Sequence, residues 1–435
     1  MGLAPLLRQI SCLEASARAG SDWLALASLY AEAESLDPGD HRLPANRGHA
    51  FWLADCPQQA LRAYWRAARL TAGDPVVLRG LGNVHLDQNA FELAERAYRR
   101  SLVLDPDVRT AWNLSQLLIG MERFAEGYAL AECRWGMAEH SPWRDPSSAW
   151  ASSPDQLREP LLVWSEQGLG DTLQHLRWLS PLLAWRATAG APLVLEVEPS
   201  LVGLVREALD PGSAALEVRA KPAGGPQPWS GRHLSLLSLP WLLGGAPCPE
   251  GASWLGSSAW RPQLPWRARQ PRVGLVWAAG RKLDDPVTAR EYHRRSLDAT
   301  ALGQLIEGLH LLGAEVVPLQ FGVDLGQADP WRPRMAEGPP ADADFATTAA
   351  FVADLDLVIS VDTAMAHLVG AMRRRGWLLL PHAAAPRWLR HRQDSPWYPS
   401  LRLFRQPSTG DWRGLVEQVL QQLDLELGER PKPAA

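Results

Sequence analysis

At 435 residues the chain is too long for one ordinary hydrophobic core, so two or three domains are expected. A hydrophobic content of 46% with 21% charged residues fits a folded soluble protein, and a net charge of −4 gives no electrostatic footprint for nucleic acid. Cys12, Cys56, Cys133 and Cys248 are far apart, with no Cys-x-x-Cys and no metal-ligand spacing, which excludes a disulfide framework and suits a reducing compartment.

At the N-terminus no basic segment leads into an uninterrupted apolar one; Glu14 and Arg18 fall where it would continue. No run of eighteen apolar residues occurs, so no membrane span is expected and the cytoplasm is the expected location. Residues 1–137 instead carry a helical repeat. Gly48 and Gly82 are 34 apart, as are Ala60 and Ala94, Tyr64 and Tyr98, and Leu70 and Leu104. The register runs back through Tyr30, Leu36 and Pro38, and Pro38 pairs with Pro106 across two periods. This period, with small residues at the helix crossing, an aromatic in the second helix and a closing proline, is the tetratricopeptide pattern. In the clearest unit, 75–106, Gly82 and Ala94 let two antiparallel helices approach, and Tyr98 is expected to pack into the next unit. Three units are visible. A fourth, less regular helix pair is expected over 109–135, with Trp112, Leu114, Leu117, Leu118, Phe124 and Tyr128, as a capping repeat. Two uses of such a stack stand open: a concave face that holds a peptide, or a docking platform.

Residues 138–160 are rich in Pro, Ser and Trp and read as a linker pinned by Trp143 and Trp150. Beyond it strands and helices alternate. A strand at 161–165 leads through Gln167-Gly168-Leu169-Gly170-Asp171 into a helix bearing Leu173, Leu176, Leu179, Leu182 and Leu183. A strand at 192–197, a helix at 201–209 and strands at 216–218 and 234–239 follow. Gly, Pro and Trp crowd 244–270 and mark a boundary, after which the alternation restarts. Strands are expected at 273–277, 315–319, 357–361 and 377–380, and helices at 301–312, 347–353, 364–372 and 412–423. The fold class is therefore α plus α/β: an N-terminal repeat solenoid, then two Rossmann-like domains facing a cleft. The expected boundaries are 1–137, 138–160, 161–265, 266–425 and a tail at 426–435. Tryptophan is over-used, at 21 against 7 Phe and 6 Tyr; its flat face suits both a core and a sugar ring.

The segment 355–372, LDLVISVDTAMAHLVGAM, is the most informative. A buried strand ends on Asp362, and Thr363 opens a helix with Met365, Leu368, Val369 and Met372 at helical spacing. The first helical turn carries unpaired N–H groups and the positive end of the dipole, which suits an anion. His367 lies four positions after Thr363, so both face one side. The other reading is an ordinary strand–turn–helix with a satisfied core histidine.

Four segments carry a family resemblance: EQGLGDTLQHLRWL (166–179), VGLVWA (273–278), LDLVISVDTAMAHLVGA (355–371) and DSPWYPSLRLFRQ (394–406). Together, in this order and after the repeats, they resemble a bacterial family in which tetratricopeptide repeats precede a glycosyltransferase domain. That domain is related to the family 9 heptosyltransferases and, more distantly, to protein O-GlcNAc transferases. The layout is also that of bacterial flagellin-glycosylating enzymes. The resemblance covers most of 161–423 and implies a GT-B arrangement, with the half at 161–265 on the acceptor side and the half at 266–425 on the nucleotide-sugar side. It implies a cytoplasmic transferase with a nucleotide sugar as donor, a protein or glycan as acceptor, no resident cofactor and no metal.

By the same resemblance Asp171 aligns with the catalytic base, with Gly168, Gly170 and Thr172 as loop backbone beside the acceptor. Asp362, Thr363, Ala364 and His367 align with the motif that holds the donor. Arg294 or Arg295, before Ser296, falls where a basic residue neutralises the leaving diphosphate, and Trp277 follows a strand end facing the cleft. These types suffice for inverting transfer, which needs a base for the acceptor proton and positive charge on the departing phosphate. Other readings stand beside these. Asp171 is also a helix cap, Arg294 and Arg295 also suit a solvated face, and Trp388, Trp397 and Tyr398 also suit a core. The Asp-x-Asp strings at Asp342/Asp344 and Asp354/Asp356 resemble metal-binding strings of GT-A enzymes but have no accompanying ligands. The chain departs from the family at Trp277-Ala278-Ala279-Gly280-Arg281, where Trp-Ala-Gly-Asn is usual, at Arg373 to Trp377, and at Ala385-Pro386-Arg387-Trp388, which lacks the usual acid. The alternative function is thus a repeat scaffold with an inactive transferase domain.

Overall fold

In chain order the described helices of the first third are α1 (Leu3–Ser16), α2 (Gly20–Leu36), α3 (Arg42–Leu53), α4 (Pro57–Leu70), α5 (Pro75–Asp87), α6 (Phe91–Leu104), α7 (Val108–Gly120) and α8 (Phe124–Ala131). There follow β1 (Leu161–Trp164), α9 (Leu169–His175), α10 (Leu179–Ala189), β2 (Leu193–Val197), α11 (Pro199–Ala208), β3 (Leu216–Ala220), β4 (Arg232–Ser235) and α12 (Leu239–Leu242). The remainder holds β5 (Arg272–Val276), α13 (Pro286–Arg295), α14 (Ala299–Leu311), β6 (Glu315–Pro318), α15 (Phe345–Ala353), β7 (Leu357–Val361), α16 (Ala364–Ala371), β8 (Gly376–Leu380), β9 (Leu401–Arg405) and α17 (Trp412–Gly428). The structure is a computed structural model and describes all residues except 1, 19, 138–141, 146–148, 150–158, 190–191, 210–215, 246–253, 256–269 and 429–435. Trp150, Cys248, most of the expected boundary at 244–270 and most of the expected tail lie outside the described residues. None of the described helices is long and apolar enough to cross a membrane.

One compact unit comprises Met1–Met137, Gly280–Arg294 and Ala383–Arg387. In it α1 to α8 pack in chain order, each helix on the next. Local devices recur at the repeat spacing. Asp74 caps α5 by accepting from Val76 N at 2.7 Å, and Asp107 caps α7 by accepting from Thr110 N at 2.8 Å. Asp55, Asn89 and Glu122 make the tight turns after α3, α5 and α7, all left-handed, with φ of 58°, 57° and 61°.

Tyr98 is fully buried and shares a core with Leu114, Leu117 and Leu118 of α7, while its hydroxyl donates to Asn83 Oδ1 at 2.8 Å. Its ring lies flat on Gly82: a Cβ there would come within 2.4 Å of Tyr98 Cε1. Gly82→Ala gains about 1 kcal/mol of helix propensity but forces a ring that cannot move away, so a net loss of about 1–2 kcal/mol is expected in urea unfolding. A neutral or stabilising result contradicts this close approach.

Gly280–Arg294 and Ala383–Arg387 belong to this helical unit although the sequence reading placed them in the last α/β half. α13, where the sequence reading placed no element, explains the first. Arg290 Nη2 reaches Asp55 Oδ1 at 2.7 Å and Asp87, and Arg294 Nη1 donates to Asp87 Oδ1 at 3.0 Å. Trp52 Nε1 donates to Asp87 Oδ2 at 2.7 Å, and the Arg290 guanidinium lies 4.3 Å from the Trp52 ring centroid. For the second, Pro386 seats against Gly120 at the end of α7.

The other unit comprises Ala138–Ala279, Arg295–His382 and Trp388–Ala435. It contains two all-parallel sheets, ordered β3-β2-β1-β4 and β6-β5-β7-β8-β9. β1, β2, β7 and β8 are buried along their whole length, as strands covered on both faces must be. Chain order reverses beside β1 in the first sheet and between β5 and β7 in the second. In open α/β sheets ligands bind outside the strand ends at such switch points.

Three details differ from the sequence reading. The strand expected at 234–239 ends at Ser235, whose Oγ accepts from Leu237 N at 3.1 Å and starts a 3-10 turn into Pro240 of α12. The long helix after β1 is broken by a 3-10 turn, Leu176–Trp178, between α9 and α10. β9 completes the second sheet and was not assigned. Trp143, expected to pin the linker, donates to Glu196 on β2, while most of the expected linker at 138–160 lies outside the described residues.

Candidate active site

The loops after β7 and β1 begin at the two switch points and carry most of the residues singled out above. β7 ends and Thr363 takes an extended N-cap conformation, its Oγ1 accepting from Met365 N at 3.2 Å and lying 3.2 Å from Ser360 Oγ. Asp362 is buried beside it. Arg295 Nη1 lies 3.6 Å from Asp362 Oδ2 and donates to the Asp362 carbonyl oxygen at 3.4 Å. Arg295 therefore stands at the N-terminus of α16, where the backbone also presents positive charge.

After β1 the chain turns at Gln167, a left-handed residue with φ 62°, and enters α9 at Gly168. The Gly168 N–H donates to Asp171 Oδ2 at 3.1 Å, so the carboxylate caps its own helix. Thr172 is fully buried, with its hydroxyl 3.4 Å from the Gly168 carbonyl and from Glu198 Oε2. His175 Nδ1 lies 2.8 Å from the Asp171 carbonyl oxygen. The cap reading of Asp171 is thus realised; capping and proton transfer are compatible because a carboxylate has two oxygens and about four lone-pair sites.

α9 and α16 meet at Gly170. A Cβ there would lie 3.0 Å from His367 Cδ2 and 3.4 Å from Ala364 Cα, so glycine permits the approach that brings Asp171 and Asp362 to neighbouring helix starts. His367 is buried, with Nδ1 3.0 Å from the Tyr398 hydroxyl and its ring stacked on Trp388 at 5.1 Å between centroids. Trp388, Trp397 and Tyr398 are all buried, in keeping with the core reading, yet two of them directly hold the imidazole. Arg177, fully buried, donates to the Trp397 carbonyl at 2.7 Å and lies 4.4 Å from the Tyr398 ring centroid, tying the 3-10 turn after α9 to the same cluster. Sequence reasoning did not connect Tyr398 or Arg177 with His367; the motif DSPWYP held the signal but not the partner.

The remaining candidates are placed as follows. Trp277 is fully buried, donates Nε1 to the Asp324 carbonyl at 3.1 Å, and offers no face to a cleft. Gln320, which the sequence reading missed, accepts from Trp277 N and Ala278 N at 3.2 and 3.0 Å. Ser296 Oγ accepts from Ala279 N at 3.0 Å and fixes the turn after β5. Arg294 points to Asp87 and Glu291, the latter at 3.4 Å, and so is directed to carboxylates of the helical unit rather than to Asp362. Burial alone opposes its charge, but Asp87, Glu291 and Asp55 more than offset this and raise its pKa. Asp344 caps α15, Asp354 pairs with Arg272, and Asp356 accepts from the Arg272 N–H at 2.8 Å. No cluster of three or more His, Cys, Asp or Glu residues with metal-binding geometry occurs among the described residues.

No protein-family model matches the chain. Protein FlbA of Caulobacter vibrioides is 26% identical over 332 residues, a match that takes in 70% of this chain and only 53% of the relative. Among solved structures, Escherichia coli ADP-heptose LPS heptosyltransferase II is 12% identical, with 62% of this chain and 99% of that chain covered and a TM-score of 0.41. An O-GlcNAc transferase of Thermobaculum terrenum is 13% identical, with 98% of this chain and 92% of that chain covered and a TM-score of 0.33. Each of the three is a distant similarity, and none assigns a fold family or an activity.

Proposed function

We propose that the chain is a glycosyltransferase that moves a sugar from a nucleotide-sugar donor to a protein or glycan acceptor, with inversion and without a metal ion. The two parallel-sheet halves form a GT-B pair in this reading. The helical unit is a tetratricopeptide stack that recruits the acceptor or a partner. The observation that carries the proposal is the contact of Gly170 with His367 and Ala364. It brings the start of α9, with Asp171, to the start of α16, with Asp362 and Thr363.

The acceptor oxygen attacks the anomeric carbon while the bond from that carbon to the diphosphate oxygen breaks. Asp171 takes the acceptor proton, and the charge on the leaving diphosphate is met by Arg295 and the first-turn N–H groups of α16. Gly168, Gly170 and Thr172 shape the acceptor loop. Trp277 and Ser296 act through the backbone that they hold, and His367 through its fixed position against Tyr398. The test is nucleoside diphosphate release from a panel of nucleotide sugars. Arg295→Ala is expected to lower the rate about 10²–10³-fold, the scale for losing one preorganised charge donor. An unchanged rate removes Arg295 from the site.

One observation favours the scaffold reading: Asp171 already accepts from Gly168 N–H and Arg295 already faces Asp362, so both can be purely structural. No nucleotide-sugar turnover with intact peptide binding is the result expected of a scaffold.

A further inference from the structure

A cavity of about 380 Å³ lies at the edge of the second sheet, between β9 and α17, within the usual range for small-molecule sites. β8 separates β9 from β7, so this cavity is not at the switch point where Asp362 stands. Its outer wall is the segment that pairs antiparallel with β9, where Leu403 N donates to the Gln393 carbonyl at 2.8 Å. The loop before it contains two left-handed residues, Leu389 at φ 50° and His391 at φ 49°.

Arg405 is the decisive residue. Its Nη2 donates to the neutral carbonyls of Trp388 and Leu389 at 2.7 and 2.8 Å, and its buried Nε has no acceptor. No carboxylate pairs with it among the described residues. A largely buried guanidinium without a counter-charge is costly, and burial pushes its pKa down to about 10. Two further arginines line the cavity, each with a partner: Arg402 Nη1 lies 3.5 Å from Glu426, and Arg392 Nη2 lies 2.8 Å from Asp394. Three arginines against two carboxylates leave one positive charge. Gln418 and Gln422 add neutral hydrogen-bonding groups from α17.

We infer that this cavity binds a compact phosphate ester, its phosphoryl group on Arg405 and Arg402 and its polar body against the glutamines. The site goes beyond the transfer reaction and does not depend on it. The test is calorimetric titration of the full chain with inorganic phosphate and with glycerol 3-phosphate. Arg405→Gln and Gln418→Glu are each expected to weaken binding at least about tenfold, while Arg295→Ala leaves it unchanged. Gln418 is exposed on α17, so its variant keeps the fold if Arg405→Gln does not. Absence of binding to the unaltered chain, or binding to Gln418→Glu at the original affinity, overturns the inference. Failure of nucleoside diphosphate release would leave it standing.

Discussion

Asp87→Ala is expected to remove about 3–5 kcal/mol from the stability of the helical unit, the scale for deleting one partner of a buried ion pair. Asp87 is the acceptor for Arg290, Arg294 and the Trp52 indole together. The Arg290 and Arg294 side chains are only 5% and 7% exposed, so water cannot replace the lost carboxylate. Asp55 still reaches Arg290 and Glu291 still reaches Arg294, but both carboxylates are far more exposed than Asp87, and Arg290 Nε and Nη1 have no hydrogen-bond acceptor to begin with. Urea unfolding followed by circular dichroism reads the effect. A loss below about 1 kcal/mol, the value of an exposed pair, contradicts the buried clamp. The pH dependence has a definite sign. Burial opposes ionisation of Asp87, but Arg294 and Arg290 outweigh it and hold the carboxyl below its usual range. A depressed pKa means that the stabilisation is fully present above the unfolded value of about 4 and is lost as pH falls through the lowered folded value. The difference between Asp87→Ala and the unaltered chain therefore shrinks in acid.

Asp171→Asn is expected to lower sugar transfer about 10²–10⁴-fold while the fold and nucleotide binding persist. The substitution preserves shape, and the amide oxygen can accept the Gly168 N–H bond that the carboxylate accepts now. What it lacks is the capacity to take a proton. Base and cap are thus separated in one variant: a residue that only caps α9 tolerates asparagine with full turnover. Transfer should be followed with whichever nucleotide sugar gives turnover, alongside a thermal unfolding curve. Turnover equal to that of the unaltered chain removes Asp171 as the base.

The sequence was most legible where one local rule decided the outcome. The recurring Gly, Ala and Tyr positions located α3 to α6, because a helix crossing has room only for small residues. The largely apolar run before Asp362, interrupted only by Ser360, marked β7, because a strand buried on both faces needs no alternation. The helix opening at Thr363 followed from the helical spacing of Met365, Leu368, Val369 and Met372. Illegible features depended on partners far away in the chain. Arg290 meets Asp87 across 203 residues, so nothing local marked α13. Tyr398 meets His367 across 31, and Arg177 meets the Trp397 carbonyl across 220, so their common cluster could not be assembled from motifs. Arg294 and Arg295 are adjacent, yet one faces Asp87 and the other Asp362; on a helix, neighbours point about 100° apart.

The central claim is that the helix starts at Asp171 and Asp362 receive a nucleotide sugar. Its most direct test is a thermal-shift panel of the full chain with UDP, GDP, ADP, CMP and dTDP and their sugars. One series should raise the unfolding midpoint by several degrees, since ligand at a hundred times its Kd adds about 2.7 kcal/mol. Arg295→Ala should diminish that shift. Silence across every series contradicts the account.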